Sequence, residues 1–258
     1  MNTNRIALQM YTLREMAQRD LIGTLERAAG IGFRAVEFAG LMGLPAREVR
    51  AALDRLGMRT AAAHVPLARW TEQPDAVLDE LEALGAEYGV IPWVEPARRN
   101  PLAEAERVVE EVIAAGRASA RRVIPLAYHH HDFEFAPLAG GNGVSLWDLL
   151  LARTDPAEVM LELDLYWAHV GGRDPLALIR EHAGRVPLVH MKDAAAAGDL
   201  NGRGIPRDLP AGGGVLDWAA LIPAAEAAGA RWFIVEQDNP DPADPAGDVA
   251  AAWRFLAG

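Results

Sequence analysis

Short apolar runs alternate along this chain with longer stretches in which apolar residues recur every three or four positions. The short runs predict β-strands, and the longer Ala-, Leu-, Arg- and Glu-rich stretches have the spacing of amphipathic helices. The pattern predicts eight strands, at 6–11, 33–38, 59–64, 87–93, 122–130, 159–164, 186–190 and 232–236. It also predicts eight helices, at 20–30, 45–57, 74–84, 102–120, 145–152, 175–183, 217–228 and 246–256.

Eight strand-then-helix units in 258 residues indicate an α/β protein with the architecture of a (β/α)8 TIM barrel. No linker, tandem repeat or low-complexity tract interrupts the series, so we expect one domain over residues 1–258. An open doubly wound sheet is the alternative. It is less favoured because ALQMYTLRE, rather than a glycine-rich phosphate-binding turn, covers the first strand and its end.

Two segments break the regular pattern. Residues 194–216 form a long connection containing Gly and Pro after the seventh strand, which is typical of a functional lid. The acidic, proline-containing stretch 238–244 follows the eighth strand, and we interpret it as a solvated rigid turn.

The amino-acid composition argues against several kinds of partner and active site. A net charge of −11 makes nucleic acid and anionic membrane surfaces unlikely partners. With no cysteine, the chain has no thiol nucleophile and no thiolate metal site. It shows neither a signal-peptide core near its start nor a long uncharged apolar run, so we expect a cytoplasmic protein.

Ionisable side chains lie where the predicted strands end, which is where a barrel of this kind places its active site. The residues at these ends are Glu37, His64, Trp93, His129, His130, His131, Asp132, Glu134, Asp164, His190 and Glu236. Converging carboxylates and imidazoles would repel one another and lose solvation unless a cation compensated them. The donors suit Mn²⁺, Mg²⁺ or Co²⁺, and Zn²⁺ is also compatible.

Strand alternation refines this set. Glu162 and Asp164 share a face, which leaves two arrangements: a carboxylate pointing in at mid-barrel, or both facing the helices. Asp164, nearer the strand end, is the better ligand. His129 and His131 share one face, and Lys192 lies on the face of His190.

Lys192 stands out by composition. It is the only lysine among 25 basic residues, the other 24 being arginine. A chain that uses arginine so consistently would place it wherever any cation serves, so Lys192 marks a position that needs a compact ammonium group. We expect that group to stabilise negative charge on a substrate oxygen.

Motifs along nearly the whole chain resemble those of the sugar phosphate isomerase/epimerase family of xylose isomerase-like TIM barrels. They are ALQMYTLRE, AVEFAGLMGLP, AAAHVPL, AYHHHDFEF, LELDLYWAHVGGRDP, VHMKDA, GVLDW and VEQD. The resemblance implies one divalent ion held by Glu134, Asp164, His190 and Glu236. Many relatives have the first glutamate inside the fifth strand, at the position of His129, so either Glu134 reaches back or this imidazole replaces it. Trp167 and Gly212–Gly214 stand where relatives often have a histidine and an acidic residue.

The resemblance implies an isomerase or epimerase that moves a proton next to the carbonyl of a sugar-like compound. Glu236 is the expected base, with His131 or Glu134 opposite, and Lys192 assists. The expected substrate contacts are Glu37, His64, His129 and Trp167, and Trp93 is a possible apolar wall. The alternatives are a lyase that dehydrates an inosose or cleaves an oxidised glycoside, an apurinic endonuclease, which the acidic charge disfavours, and a non-catalytic sugar-binding protein. The sequence leaves open which sugar is bound and whether the chain forms a homo-oligomer.

Overall fold

Eight parallel strands form a closed barrel in the computed structural model, which describes residues 1–258. The barrel strands are β1 (Ile6–Gln9), β2 (Ala35–Phe38), β3 (Arg59–His64), β4 (Ala86–Ile91), β5 (Leu126–His129), β6 (Val159–Asp164), β7 (Leu188–Ala194) and β9 (Trp232–Val235). A short additional strand, β8 (Asp208–Pro210), pairs antiparallel with β7 and is not part of the ring. Strands β1 to β7 pair in sequence order, and β9 pairs with both β7 and β1 to close the ring. The predicted (β/α)8 barrel is therefore confirmed.

Helices surround the barrel. They are α1 (Arg14–Arg19), α2 (Leu21–Ile31), α3 (Ala46–Leu56), α4 (Leu67–Glu72), α5 (Pro74–Leu84), α6 (Pro96–Arg99), α7 (Leu102–Ala120), α8 (Leu146–Arg153), α9 (Leu165–Val170), α10 (Pro175–Glu181), α11 (Trp218–Ala227) and α12 (Pro245–Ala257). Several begin at a side chain that accepts a backbone N–H. Ser145 and Asp148 form a reciprocal capping box at α8, and Asp217 caps α11. None of the helices combines the length and the apolar composition needed to cross a lipid bilayer.

The alternation of side chains along the strands separates two apolar cores. One cluster of 58 buried residues includes Leu8, Val36 and Val189. Their strand neighbours Ala7, Ala35 and Leu188 belong to a second cluster of ten residues. Because successive side chains of a strand point to opposite faces, the first cluster packs under the helices and the second fills the barrel interior.

The observed strands and helices differ from the predicted ones in the bounds of two strands and in several additional short elements. Strand β5 begins at Leu126 rather than at residue 122, because a turn with Val123 at a φ of 58° comes first. Strand β7 extends to Ala194 because β8 pairs with it in antiparallel fashion. The predicted loop 194–216 thus contains a short strand. The short helices α1, α4, α6 and α9 were not predicted, since each has too few residues to show a periodic pattern.

Candidate active site

The inward faces of the strands become polar at the carboxyl end of the barrel. The residues concerned are Gln9 on β1, Glu37 on β2, His64 on β3, His129 on β5, Glu162 and Asp164 on β6, His190 and Lys192 on β7, and Glu236 directly after β9. Apart from His64, which is partly exposed, all of them are buried. Strand register brings them together, since His129 pairs with Glu162 and Asp164 with His190. The structure thus brings together six of the predicted strand-end residues, which are Glu37, His64, His129, Asp164, His190 and Glu236.

Four of these side chains form a group nearest the cavity, which we call the outer group: His129, Asp164, His190 and Glu236. One ligand atom from each lies within 4.8 Å of the others. His190 Nδ1 is 2.8 Å from Glu236 Oε2 and 3.7 Å from Asp164 Oδ2, and His129 Nε2 is 3.6 Å from Asp164 Oδ2.

Two atoms of the outer group that could bind a metal ion are buried and make no hydrogen bond. They are His129 Nε2 and Asp164 Oδ2. His129 Nδ1 lies 3.2 Å from the carbonyl of Pro92, and donating to it places the ring's lone pair on Nε2. Asp164 Oδ1 accepts the backbone N–H of Trp167 at 2.8 Å, while Oδ2 accepts no hydrogen bond and lies 3.1 Å from the ammonium group of Lys192. Buried polar atoms are normally paired, so these two fit the ligands of a divalent ion.

The other group, which we call the inner group, comprises Glu37, His64, Glu162 and His190. Burial alone would lower the pKa of His64, but the carboxylates of Glu37 and Glu162 outweigh it and raise the pKa to about 10. Gln9 donates from Nε2 to Glu37 Oε2 at 2.8 Å. His190 is the only residue common to both groups.

Lys192 is fully buried among carboxylates. Its Nζ lies 2.6 Å from Asp238 Oδ2, 2.8 Å from Glu236 Oε2 and 3.1 Å from Asp164 Oδ2. Burial would lower its pKa, but Asp164, Asp238 and Glu236 raise that pKa well above its usual value. The same ammonium group opposes the effect of burial on Asp238, whose pKa is raised to about 6. Lys192 is therefore a fixed cation beside the outer group.

Glu134, in contrast, is not brought together with the three other predicted metal ligands. Its carboxylate accepts the hydroxyl of Tyr128 at 3.0 Å and the backbone N–H of His131 at 2.7 Å. Burial outweighs these hydrogen bonds and raises its pKa to about 8. His129 occupies the fifth-strand position beside Asp164, as in the second of the two predicted arrangements. The physical reason is that β5 ends at His129 and a 3-10 helix over Phe133–Phe135 turns Glu134 back into the fold.

A cavity of about 1020 Å³ opens above the outer group. Glu236, His129, His64, His131, Trp167, Trp93, Asn201, Arg203 and Asp238 are among its lining residues. Burial lowers the pKa of His131 well below its usual value, and the nearby His129 and Lys192 lower it further, so this imidazole is neutral. Its Nδ1 has no hydrogen-bond partner. Asn201 and Arg203 bring the segment predicted as a lid to the mouth of this cavity.

Sequence reasoning missed Gln9 and Asp238 and left Glu162 undecided. The interpretation of 238–244 as a solvated turn is wrong for Asp238, because its carboxylate pairs with Lys192. The strand pattern could have placed Gln9 and Glu162 inside the barrel. Gln9 lies two residues after the inward-facing Ala7, and Glu162 lies two residues after the inward-facing Met160. Asp238 lies beyond its strand, where alternation gives no signal.

The fold agrees with comparisons to known proteins. The sequence model of the family described as xylose isomerase-like TIM barrel matches residues 25–257, and the chain belongs to this family. The crystal structure of a sugar phosphate isomerase/epimerase from Parabacteroides distasonis has a TM-score of 0.82 and 23% identity, covering 99% of this chain and 94% of that one. The crystal structure of a probable 3-DHS dehydratase from Bacillus anthracis has a TM-score of 0.72 and 12% identity, covering 98% and 99%. At these identities the likeness shows the fold.

Two curated relatives are also similar over parts of the chain. Inosose dehydratase from Geobacillus thermodenitrificans is 28% identical in an alignment of 162 positions that covers 54% of this chain and 49% of that protein. Inosose dehydratase from Bacillus licheniformis is 33% identical over 94 residues, 35% of this chain and 29% of that protein. The matched region thus spans about half or less of the length of these relatives.

Proposed function

We propose that this protein is a divalent-metal-dependent isomerase or epimerase that moves a proton next to the carbonyl of a sugar or sugar-like keto compound. One observation carries the proposal. The outer group presents two buried atoms able to bind a metal ion that make no hydrogen bond, His129 Nε2 and Asp164 Oδ2, at the base of a cavity lined by groups able to exchange protons. The sugar isomerase/epimerase among its structural neighbours supports the same class of reaction.

His129, Asp164, His190 and Glu236 would hold the ion. Their two nitrogen and two oxygen donors suit Mn²⁺, Co²⁺ or Zn²⁺, while Mg²⁺ would favour the oxygens. A bound divalent ion would draw electrons from a substrate carbonyl and so stabilise the enediolate that forms when the neighbouring C–H proton leaves.

Glu236 and His131 are the groups that we assign to the proton transfer. Burial alone would raise the pKa of Glu236, but Lys192 and His190 outweigh it and lower the pKa well below its usual range. His131 is neutral for the reasons given above. Both groups are therefore unprotonated near neutral pH and line the same cavity, so a substrate bound between them meets a proton acceptor on each side.

The remaining residues bind and orient the substrate. Lys192 lies next to Glu236 and supplies a cation for negative charge that develops on the substrate oxygen. His64, His129 and Trp167 line the cavity, and Glu37 holds His64 and His190 in place from below. The cavity volume is at the upper end of the range for small-molecule sites, so a substrate larger than one sugar ring would fit.

Elimination is a second candidate reaction, favoured by the similarity to inosose dehydratases. It begins with the same proton abstraction and then expels an oxygen leaving group, which must be protonated. Asp238 is suited to that step, because its pKa of about 6 leaves part of its population protonated near neutral pH. The two candidate reactions therefore share Glu236, His131 and the outer group.

Hydrogen exchange in D₂O tests the proposal. Ketoses, inososes and keto-glycosides are incubated with protein and Mn²⁺, Mg²⁺, Co²⁺ or Zn²⁺, and α-hydrogen loss is followed by NMR. We expect at least one compound to exchange, Glu236→Gln to abolish the exchange while the protein stays folded, and the exposed Glu181→Gln to behave as wild type. The products separate isomerisation and epimerisation from elimination. Exchange at the wild-type rate in Glu236→Gln would exclude Glu236 as the base, and no exchange in the whole panel would contradict the proposed function.

A further inference from the structure

The inner group has the spacing of a coordination sphere. His190 Nε2 lies 2.8 Å from Glu37 Oε2 and 3.2 Å from Glu162 Oε2. His64 Nε2 lies 3.2 Å from Glu37 Oε2 and 2.9 Å from Glu162 Oε2. An ion about 2.0–2.1 Å from each donor holds neighbouring donors roughly 3 Å apart. Each of the two nitrogens therefore lies 2.8–3.2 Å from both carboxylate oxygens, which is the spacing that one bound ion imposes on neighbouring ligand atoms.

A second, independent observation points to a ligand at the same place. Glu37 and Glu162 are both fully buried, and Oε1 of each has no hydrogen-bond partner. A carboxylate oxygen hidden from water and left unpaired is costly, whereas a bidentate carboxylate on a cation uses both oxygens. The hydrogen bonds within the group use only the Oε2 atoms.

The carboxylates of the inner group, Glu37 and Glu162, have no lysine or arginine beside them, whereas those of the outer group have Lys192. Lys192 contacts Asp164, Glu236 and Asp238, and it makes no ion pair with Glu37 or Glu162. The positive charge beside Glu37 and Glu162 comes only from the imidazoles of His64 and His190. Burying two carboxylates requires compensation, and a divalent ion supplies it without protonating both rings.

We propose that the inner group is a second divalent-cation site, distinct from the outer group. Its donors are Glu37, His64, Glu162 and His190, a nitrogen–oxygen set that suits Zn²⁺, Co²⁺ or Mn²⁺. His190 belongs to both groups: its Nε2 faces the inner group and its Nδ1 faces the outer group. In a neutral imidazole only one of the two ring nitrogens has a lone pair that can bind a metal ion. An ion on Nε2 leaves Nδ1–H to donate to Glu236 Oε2 at 2.8 Å, so while the inner group holds an ion the outer group keeps His129, Asp164 and Glu236 as its ligands.

Cobalt binding by the full-length protein tests this site without relying on activity. Crystals soaked in Co²⁺ are measured at the cobalt absorption edge, and affinity in solution is followed by the visible absorption of Co²⁺. We expect anomalous density among the inner donors. Glu162→Gln should weaken that binding at least about tenfold, whereas Asp164→Asn, which removes an outer donor only, should leave it within about threefold. Glu37→Gln replaces Glu162→Gln if the latter fails to fold by circular dichroism.

The outcomes separate this inference from the proposed function. Density at the outer group alone, or none at either group, overturns the inner site, because the inner residues would then form only a hydrogen-bonded network. If hydrogen exchange persists in that case, the proposed function stands. Density at the inner group together with no exchange of any substrate supports the inner site and contradicts the proposed function.

Discussion

At the scale of single residues, Lys192 shows how chemistry and position combine. Its fully buried ammonium group forms ion pairs with Asp238, Glu236 and Asp164 at distances of up to 3.1 Å. A planar guanidinium with its fixed fork is larger and directs its donors differently. The structure thus explains why a chain with 24 arginines has its one lysine here.

We expect Lys192→Arg to lower turnover at least about tenfold, or about 1.4 kcal/mol of transition-state stabilisation, with metal content little changed. Lys192→Met should also lower the free energy of unfolding, by about 3–5 kcal/mol, because three buried carboxylates would lose their cation. Steady-state kinetics, metal analysis and urea unfolding measure these effects. Wild-type turnover in both variants would show that Lys192 has no role in the reaction.

Glu134 gives a prediction for pH. Its pKa in the folded protein is about 8, against an ordinary value of 4.5, so the folded state holds a proton that the unfolded state releases between these values. The stabilising contribution is complete below about pH 4.5 and is lost as pH rises through 8.

Glu134→Gln keeps the shape of the protonated side chain and removes its titration. We therefore expect the free energy of unfolding of wild type to fall relative to that of Glu134→Gln between pH 5 and pH 8. Urea unfolding of both proteins at several pH values measures the difference, and other titrating groups cancel because the proteins share them. A difference that does not change with pH would contradict the raised pKa.

At the scale of elements, the connection after β7 is ordered by one buried carboxylate. Asp193 accepts backbone N–H groups from Ala194, Gly212, Gly214 and Leu216, and the indole N–H of Trp218, all at 2.7–3.1 Å. A Cβ on Gly214 would lie 2.1 Å from the carbonyl oxygen of Ala194, so only glycine fits this approach. The segment that reaches the cavity mouth is thus attached to the barrel through β7.

We expect Asp193→Asn to destabilise the protein by about 1–3 kcal/mol, because an amide nitrogen would face donors where a carboxylate oxygen accepted them. The effect should be strongest locally, so limited proteolysis should cut residues 194–216 faster, and the melting temperature should fall. Asp199→Asn is the matched control. Asp199 lies in the same segment but is exposed and paired with Arg207, and such pairs contribute little. Equal protease resistance of wild type and Asp193→Asn would contradict this role.

At the scale of the whole molecule, the site concentrates negative charge inside a barrel whose net charge is already −11. A cation that binds only the folded protein stabilises it by an amount that grows with the logarithm of the cation concentration, about 2.7 kcal/mol at a hundred times its Kd. We therefore expect chelator to lower the melting temperature and added Mn²⁺, Co²⁺ or Zn²⁺ to restore it. Mass spectrometry measures the bound metal.

The double variant Asp164→Asn, Glu162→Gln removes one donor from each group and should lose most of this metal-dependent shift. A protein that binds no ion and gains no stability from Mn²⁺, Co²⁺ or Zn²⁺ would contradict both cation sites. The measurement does not depend on knowing the substrate.

The sequence by itself determined the barrel and most of its site. Apolar runs and helical spacing follow from local burial, which a linear pattern records, so the eight strands and the convergence of Glu37, His64, Asp164, His190 and Glu236 were predictable. Only the tertiary structure decided which fifth-strand residue joins them, because the chain turns at His129 and directs Glu134 to Tyr128. It also decided that Asp238 pairs with Lys192. These contacts depend on where strands end and on how distant segments meet, and neither is encoded in the periodicity of neighbouring residues.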